Sequence, residues 1–256
     1  MNKLDQQANA YIINRKKSFL GVPVTESQLR HAIDFSYAMI YGDGHHRSSR
    51  SGGQTVRSRG EKFCNTFQGK LAEIVLHDLL VSAGIAVSGI DFSIHGEGIW
   101  DDCDLIANGR RINIKSAASF SNLLLLEQKD WNAAGEYKPD LEQGKSTTYD
   151  AFVLIRFGVD VKGIFSAHKL FYSNEDLPKS KVEPLILAKG WKYDFAGFIN
   201  NNTFRYLIEQ SFVIPQGALL NGKIPMDASN YYCQAGDMQS EEIFIERLKT
   251  TKCDAG

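Results

Sequence analysis

The chain has 256 residues, with 29 Lys and Arg against 30 Asp and Glu, so its formal net charge is −1. Hydrophobic residues make up 43% and charged residues 23%, which excludes an intrinsically disordered chain. The length suits one large domain or two modest ones, and a chain of this size buries roughly 70–75% of its unfolded surface, so its core needs no staple. Near-zero net charge, taken alone, points away from nucleic acid as a partner.

The four cysteines, Cys64, Cys103, Cys233 and Cys253, are far apart and form no C-x-x-C pair. That spacing argues against a zinc ribbon and for unpaired thiols in a reducing cytosol. The first twenty residues contain no apolar run of signal-peptide type, and the strongly apolar stretches 123–126 and 151–155 are far shorter than the ~20 residues of a membrane span. A cytoplasmic protein without a membrane partner is expected.

In chain order, residues 1–22 are polar and are expected to form a helix or an arm. Thr25 followed by Gln28 is a capping-box pattern, and Leu29, Ala32, Ile33, Phe35 and Ile40 recur at roughly helical spacing up to Gly42. Residues 42–62 are rich in Gly and Ser and read as a loop. It carries Arg47, Arg50, Arg57, Arg59 and Lys62 against only Asp43 and Glu61. A second helix follows through Phe67, Leu71, Ile74 or Val75, and Leu79, with a stop at Gly84. The period then changes to strands, with Leu105 and Ile106, Asn108-Gly109, and Ile112 and Ile114 alternating with Asn113 and Lys115. Asn-Gly between two such runs is a strong hairpin signal. Residues 123–126 and 151–157 read as further strands joined by a long polar loop, and 164–172 as a strand with a short helix. Short strands are expected around 195–199, 204–208, 211–215 and 230–233, then a terminal amphipathic helix in the stretch from Ser240. This order predicts a mixed α/β (α+β) sheet in one domain, 1–256.

Side chains alternate along a strand, so Asn113 and Lys115 share one face and Ile112 and Ile114 the other. A tight turn at 108–109 brings Asp104 into the Asn113/Lys115 region, and Asp102 shares its face if the strand is regular. Glu73, on the preceding helix, reaches the same edge if that helix packs on the sheet; otherwise it pairs with His77 one turn later. Carboxylates, an amide and an ammonium at one place suit metal-assisted phosphodiester hydrolysis. Mg²⁺ takes one or two carboxylates with water and substrate phosphate, and a lysine orients the water or stabilises charge on the phosphate oxygens.

The segments Gln68-Gly69-Lys70-Leu71-Ala72-Glu73, Asp104-Leu105-Ile106 and Asn113-Ile114-Lys115 resemble the PD-(D/E)XK nuclease superfamily, and within it a type II restriction endonuclease. The resemblance covers about residues 63–157. It implies a central mixed β-sheet flanked by helices, with a catalytic core near 63–172, the N-terminal helices and basic loop over 1–62, and DNA-binding or dimerisation additions over 173–256. It also implies catalytic Asp104, Lys115, Asn113 and Glu73, and metal ligands Asp104, Glu73, Asn113 and the Ile114 carbonyl around Mg²⁺, with Mn²⁺ as a substitute. The family places an acid where this chain has Asn113, so Glu73 or Asp102 would supply the missing carboxylate, or Asn113 would serve as it stands with the Ile114 carbonyl as a further ligand. The implied activity is sequence-specific cleavage of double-stranded DNA to leave 5′-phosphates, by a homodimer, beside a cognate DNA methyltransferase.

The basic loop fits that reading, since Arg47, Arg50, Arg57, Arg59 and Lys62 suit phosphate contact and Arg can read guanine. Trp131, Tyr137 and Lys138 lie in the long inter-strand loop, a second candidate DNA-facing element. Trp191, Tyr193, Tyr231 and Tyr232 are taken as core, and His45-His46 as a solvated loop. G-x-S-x-G, G-x-x-x-x-G-K-[ST] and H-E-x-x-H are absent. Two alternatives stay open: a catalytically silent DNA-binding module of the same fold, and a repair or recombination nuclease that reads DNA shape.

Overall fold

The computed structural model describes residues 1–42, 57–93 and 104–250. The N-terminal stretch forms strands β1 (Asp5–Gln7), β2 (Ala10–Ile12) and β3 (Val22–Pro23) where a helix or arm was expected. The reason is tertiary. β2 runs beside a strand near residue 219, and β3 is the edge of the central sheet. Helix α1 (Glu26–Tyr41) begins as predicted, with Thr25 Oγ1 accepting from Gln28 N at 3.3 Å and Gln28 Oε1 accepting from Thr25 N at 2.9 Å.

Helix α2 (Arg59–Ser82) starts several residues earlier than the periodicity suggests. Ser58 caps it by accepting from Glu61 N at 3.1 Å, a Ser-x-x-Glu signal hidden in polar sequence. Gly60 sits in the first turn, where a Cβ would lie 1.9 Å from the Leu170 carbonyl oxygen. Backbone cannot yield as a side chain does, so Gly60→Ala should shift the start of α2 away from residues 170–171. A cost of about 1–3 kcal/mol follows from such overpacking, read as a lowered urea midpoint; an unchanged midpoint would refute the close approach.

Strands β4 (Leu105–Ala107) and β5 (Arg110–Ala118) form the predicted hairpin, with Asn108 and Gly109 at φ 46° and 72°, the positive pair that a two-residue turn of this type requires. After β6 (Leu123–Glu127), the expected polar loop holds a 3₁₀ turn and α3 (Lys138–Glu142). Then come β7 (Ala151–Phe157), α4 (Val161–Ala167), α5 (Lys179–Leu187), β8 (Lys192–Asn200) and α6 (Asn201–Glu209). Residues 164–172 contain no strand. The 204–208 stretch, read as a strand, is helical because Asn200 caps it at Thr203 N and its apolar face packs inward through Phe204 and Leu207. The chain closes with β9 (Val213–Ile214), β10 (Leu219–Leu220), β11 (Ile224–Pro225), β12 (Asn230–Gln234) and the expected terminal helix α7 (Glu241–Lys249).

The described residues thus make a mixed α/β architecture with three sheets. The central one has the order β3-β8-β7-β5-β4, with β5 and β7 parallel and the other neighbours antiparallel. All seven residues of β7 are buried, as a strand covered on both faces requires. Val153, Ile155 and Phe157 join the core beneath α1, α2, α4 and α5. Phe152 and Leu154 join a second core with Trp131, β6, α6 and β12. Between the layers lies a charged pair. Arg156, fully buried, stands across from Asp194 in the β7–β8 register and bonds it at 2.9 and 2.5 Å.

Candidate active site

The hairpin decides where the candidate residues meet. Its register runs Leu105↔Ile112, Ile106↔Arg111 and Ala107↔Arg110, and one further step sets Asp104 opposite Asn113. The Asp104 carboxylate reaches past that position, and its Oδ2 accepts from Ile114 N at 2.5 Å. N–H and C=O of one strand residue point to the same edge, so the Ile114 carbonyl opens toward Asp104 as well.

Asn113 and Lys115 stand beside Phe152 and Leu154 in the parallel register, on the face turned to the second core. Ile112 and Ile114 occupy the opposite face under α2. Asn113 is 6% exposed, and its Oδ1 is buried without a hydrogen-bond partner. An orphaned acceptor of this kind costs free energy unless something electropositive meets it. Lys115 lines a cleft of about 400 Å³ whose walls include Glu127, Asp130, Asp227 and Asn230 with Trp131 and Tyr137.

Electrostatics agree with this geometry. Burial pushes the Asp104 carboxyl above the usual carboxylate range, against the opposing pull of Lys115, the Ile114 N–H and Lys70. Burial also raises the Tyr149 phenol, with the charges of Asp104 and Asp140 adding to it, so Tyr149 belongs to the same neighbourhood. A carboxylate whose folded-state pKa is raised lowers stability as pH rises from its unfolded value through the folded one. Asp104→Asn should therefore raise the melting temperature at neutral pH with chelator present, by roughly 2–4 °C for each ~1 kcal/mol relieved. Calorimetry of the two proteins checks this, and a lower melting temperature for the variant would contradict it.

Glu73 does not pair with His77. It accepts from Lys70 Nζ at 2.5 Å, while His77 Nδ1 lies 3.1 Å from Asp78. Helix α2 nonetheless packs on β5, where Gln68 Nε2 reaches Ser116 Oγ at 3.3 Å. Asp102 lies outside the described residues, as do Arg47, Arg50 and His45-His46. Among the described residues no group of three His, Cys, Asp or Glu is arranged to hold a metal. The hairpin instead offers one carboxylate, one buried amide oxygen and a backbone carbonyl. That donor set fits a hard divalent cation, which takes one or two carboxylates and retains several waters.

The loop cations divide. Arg57 lies 3.6 Å from Glu61. Arg59 is not a loop residue. It opens α2, donates to the Ile40 carbonyl, pairs with Asp176 and stacks on Tyr41. Lys62 is half-buried on the first turn of α2. Trp131, read as a candidate DNA contact, is 4% exposed and packs against Tyr137, Tyr149, Phe152 and Phe204. Trp191, Tyr193, Tyr231 and Tyr232 are core, as expected. Cys64 and Cys233 are buried free thiols. Among the described residues no helix is long and apolar enough to cross a membrane.

Sequence reading missed Lys70 and the acids that line the Lys115 cleft. Lys70 continues the Phe63, Phe67, Ile74 stripe at helical spacing, and a lysine on a buried stripe is the signal that was present. The cleft acids come from β6, from the 3₁₀ turn after it and from the turn before β12, which only folding brings together. No family model matches the chain, and neither does any curated protein or solved structure.

Proposed function

We propose that the chain is a divalent-metal-dependent endonuclease of restriction type that hydrolyses phosphodiester bonds in double-stranded DNA. One observation carries the reading: Asp104 stands opposite Asn113, whose buried Oδ1 is orphaned, and Lys115, on the same strand face as Asn113, lines a cleft. Asp104, Asn113 Oδ1 and the Ile114 carbonyl would hold Mg²⁺ or Mn²⁺. When bound, the metal supplies Lewis-acid polarisation of the phosphate and acidifies a bound water.

The protein's own groups have separable tasks. Asp104 is fixed by the Ile114 N–H, so its carboxylate presents one orientation. Lys115 offers three N–H donors to the phosphate oxygens, where negative charge grows as water attacks phosphorus and the bond to the 3′ oxygen breaks. A 5′-phosphate and a 3′-hydroxyl result. Restriction-type cutting of both strands implies a two-fold homodimer and a partner methyltransferase that protects the host site.

Plasmid or phage DNA incubated with the full chain and Mg²⁺, resolved on a gel, tests this. Discrete fragments are expected. A second reading, a silent DNA-binding module, is favoured by the neutral Asn113 in a hairpin that offers one carboxylate among its described residues. It prevails if the protein retains DNA in a mobility shift yet cuts nothing in either Mg²⁺ or Mn²⁺.

A further inference from the structure

The cleft that Lys115 lines holds residues that phosphodiester hydrolysis does not use. Leu125, Met226, Trp131 and Tyr137 give it apolar and aromatic walls. Its volume of about 400 Å³ and this lining match small-molecule sites, which are apolar pockets with a few placed polar groups. Two of its polar groups stand side by side. Asn230 of β12 is opposite Glu127 of β6 in antiparallel register, so their side chains leave the same face of that sheet. Asn230 is 6% exposed. Its Nδ2 donates to the Ala228 carbonyl at 2.8 Å, and among the described residues no donor meets its Oδ1. A buried amide oxygen left over in the wall of a cleft points to a ligand that donates. Glu127 beside it carries a carboxylate with about four lone-pair sites, and Lys129 Nζ stands 3.8 Å from its Oε2.

We infer that this cleft is a subsite for an extruded nucleobase, held through its exocyclic amino group by Asn230 Oδ1 and the Glu127 carboxylate. The inference rests on the reading of Lys115 as a phosphate contact. Lys115 lines the same cleft, and the group joined to that phosphate is a nucleoside. Acceptor chemistry selects the base. An exocyclic amine has two N–H donors, one for each of the paired acceptors, and adenine and cytosine carry one where thymine carries a carbonyl oxygen. Asp130 and Asp227 add acceptors to the same cleft, so a carbonyl edge is poorly matched there. Shape selects the extruded state. Bases within a duplex are read by side chains that project into a groove, whereas a concave cleft receives a base only out of the stack. Tyr137, half-buried in the cleft wall, supplies an aromatic surface for stacking.

Fluorescence anisotropy of labelled single-stranded dA, dC and dT oligonucleotides of equal length, titrated with the full chain in the presence of chelator, tests this without reference to cleavage. The phosphates are identical, so the ratio of Kd values reads the bases. Either dA or dC should bind about tenfold tighter than dT, the worth of a hydrogen bond to a charged acceptor. Glu127→Ala and Asn230→Leu should each bring that ratio close to one. If Asn230→Leu does not fold, Glu127→Ala, at a part-exposed position, decides alone. Equal binding of the three, tighter binding of dT, or a preference that Glu127→Ala leaves intact overturns the subsite, as does failure to retain any of them. Plasmid cleavage by the same protein separates the two readings. Discrete fragments with a flat ratio sink only the base subsite, whereas no retention and no cleavage sink the nuclease reading with it. A base preference without cleavage keeps the subsite and assigns it to the silent module.

Discussion

Lys115→Ala protein should bind duplex DNA and leave it uncut, with the single-turnover rate down by about 10³-fold. Removing one preorganised donor from a developing oxyanion typically costs 10²–10³-fold, and here the donor is a full charge beside a buried carboxylate. Lys115 is half-buried at the cleft, so its truncation removes little packing but withdraws a charge that favours ionised Asp104. A normal melting temperature with lost cleavage and retained DNA binding separates chemistry from folding. Lys115→Arg should recover little, because a planar fork does not replace a compact ammonium. A rate for Lys115→Ala within tenfold of wild type would remove the lysine from the mechanism.

Arg156→Leu should be the most destabilising single change outside the site. The guanidinium bonds Asp194 through two nitrogens and also donates to the carbonyls of Lys17, Ser18 and Ser121 and to Asn122 Oδ1. Asp194 Oδ2 in turn accepts from Leu20 N at 3.2 Å, and Lys17 Nζ donates to the Ala196 carbonyl. One buried ion pair therefore straps the N-terminal segment across β7 and β8. Removing the arginine leaves a buried carboxylate without its partner, a loss of about 3–5 kcal/mol. For a chain of this size that is roughly 10 °C of melting temperature. Arg156→Leu/Asp194→Leu should be less damaged than the single variant, since two apolar residues leave no buried charge. A double variant that melts below Arg156→Leu would show that the carbonyl contacts, not the charge pair, dominate.

The hairpin was legible because its information is local. Asn108-Gly109 dictates the turn, the turn dictates the register, and the register sets Asp104 against Asn113 with Lys115 two residues on. The start of α2 was less legible, since Ser58 and Glu61 are a cap only if the intervening residues turn, and Gly60 is required there because the backbone of residues 170–171 leaves no room for a Cβ. Arg59 illustrates the same limit. Its charge suggested phosphate, but its partners, Ile40, Asn174 and Asp176, come from distant parts of the chain.

The amino-acid order by itself determined the short-range features: the capping box of α1, the hairpin, the alternation that puts Asn113 and Lys115 on one face, and the buried run of β7. These depend on backbone preferences and on periodicity, which act over a few residues. Tertiary structure alone decided that the N-terminal arm becomes strands, that Trp131 is core, that Glu73 belongs to Lys70, and that Glu127 and Asp227 share a cleft with Lys115. Each of those outcomes joins groups whose meeting depends on which faces are buried together, and burial is settled by the whole sheet at once. The net charge of −1 falls under the same rule, because what a phosphate meets is the local arrangement of charges and not their sum.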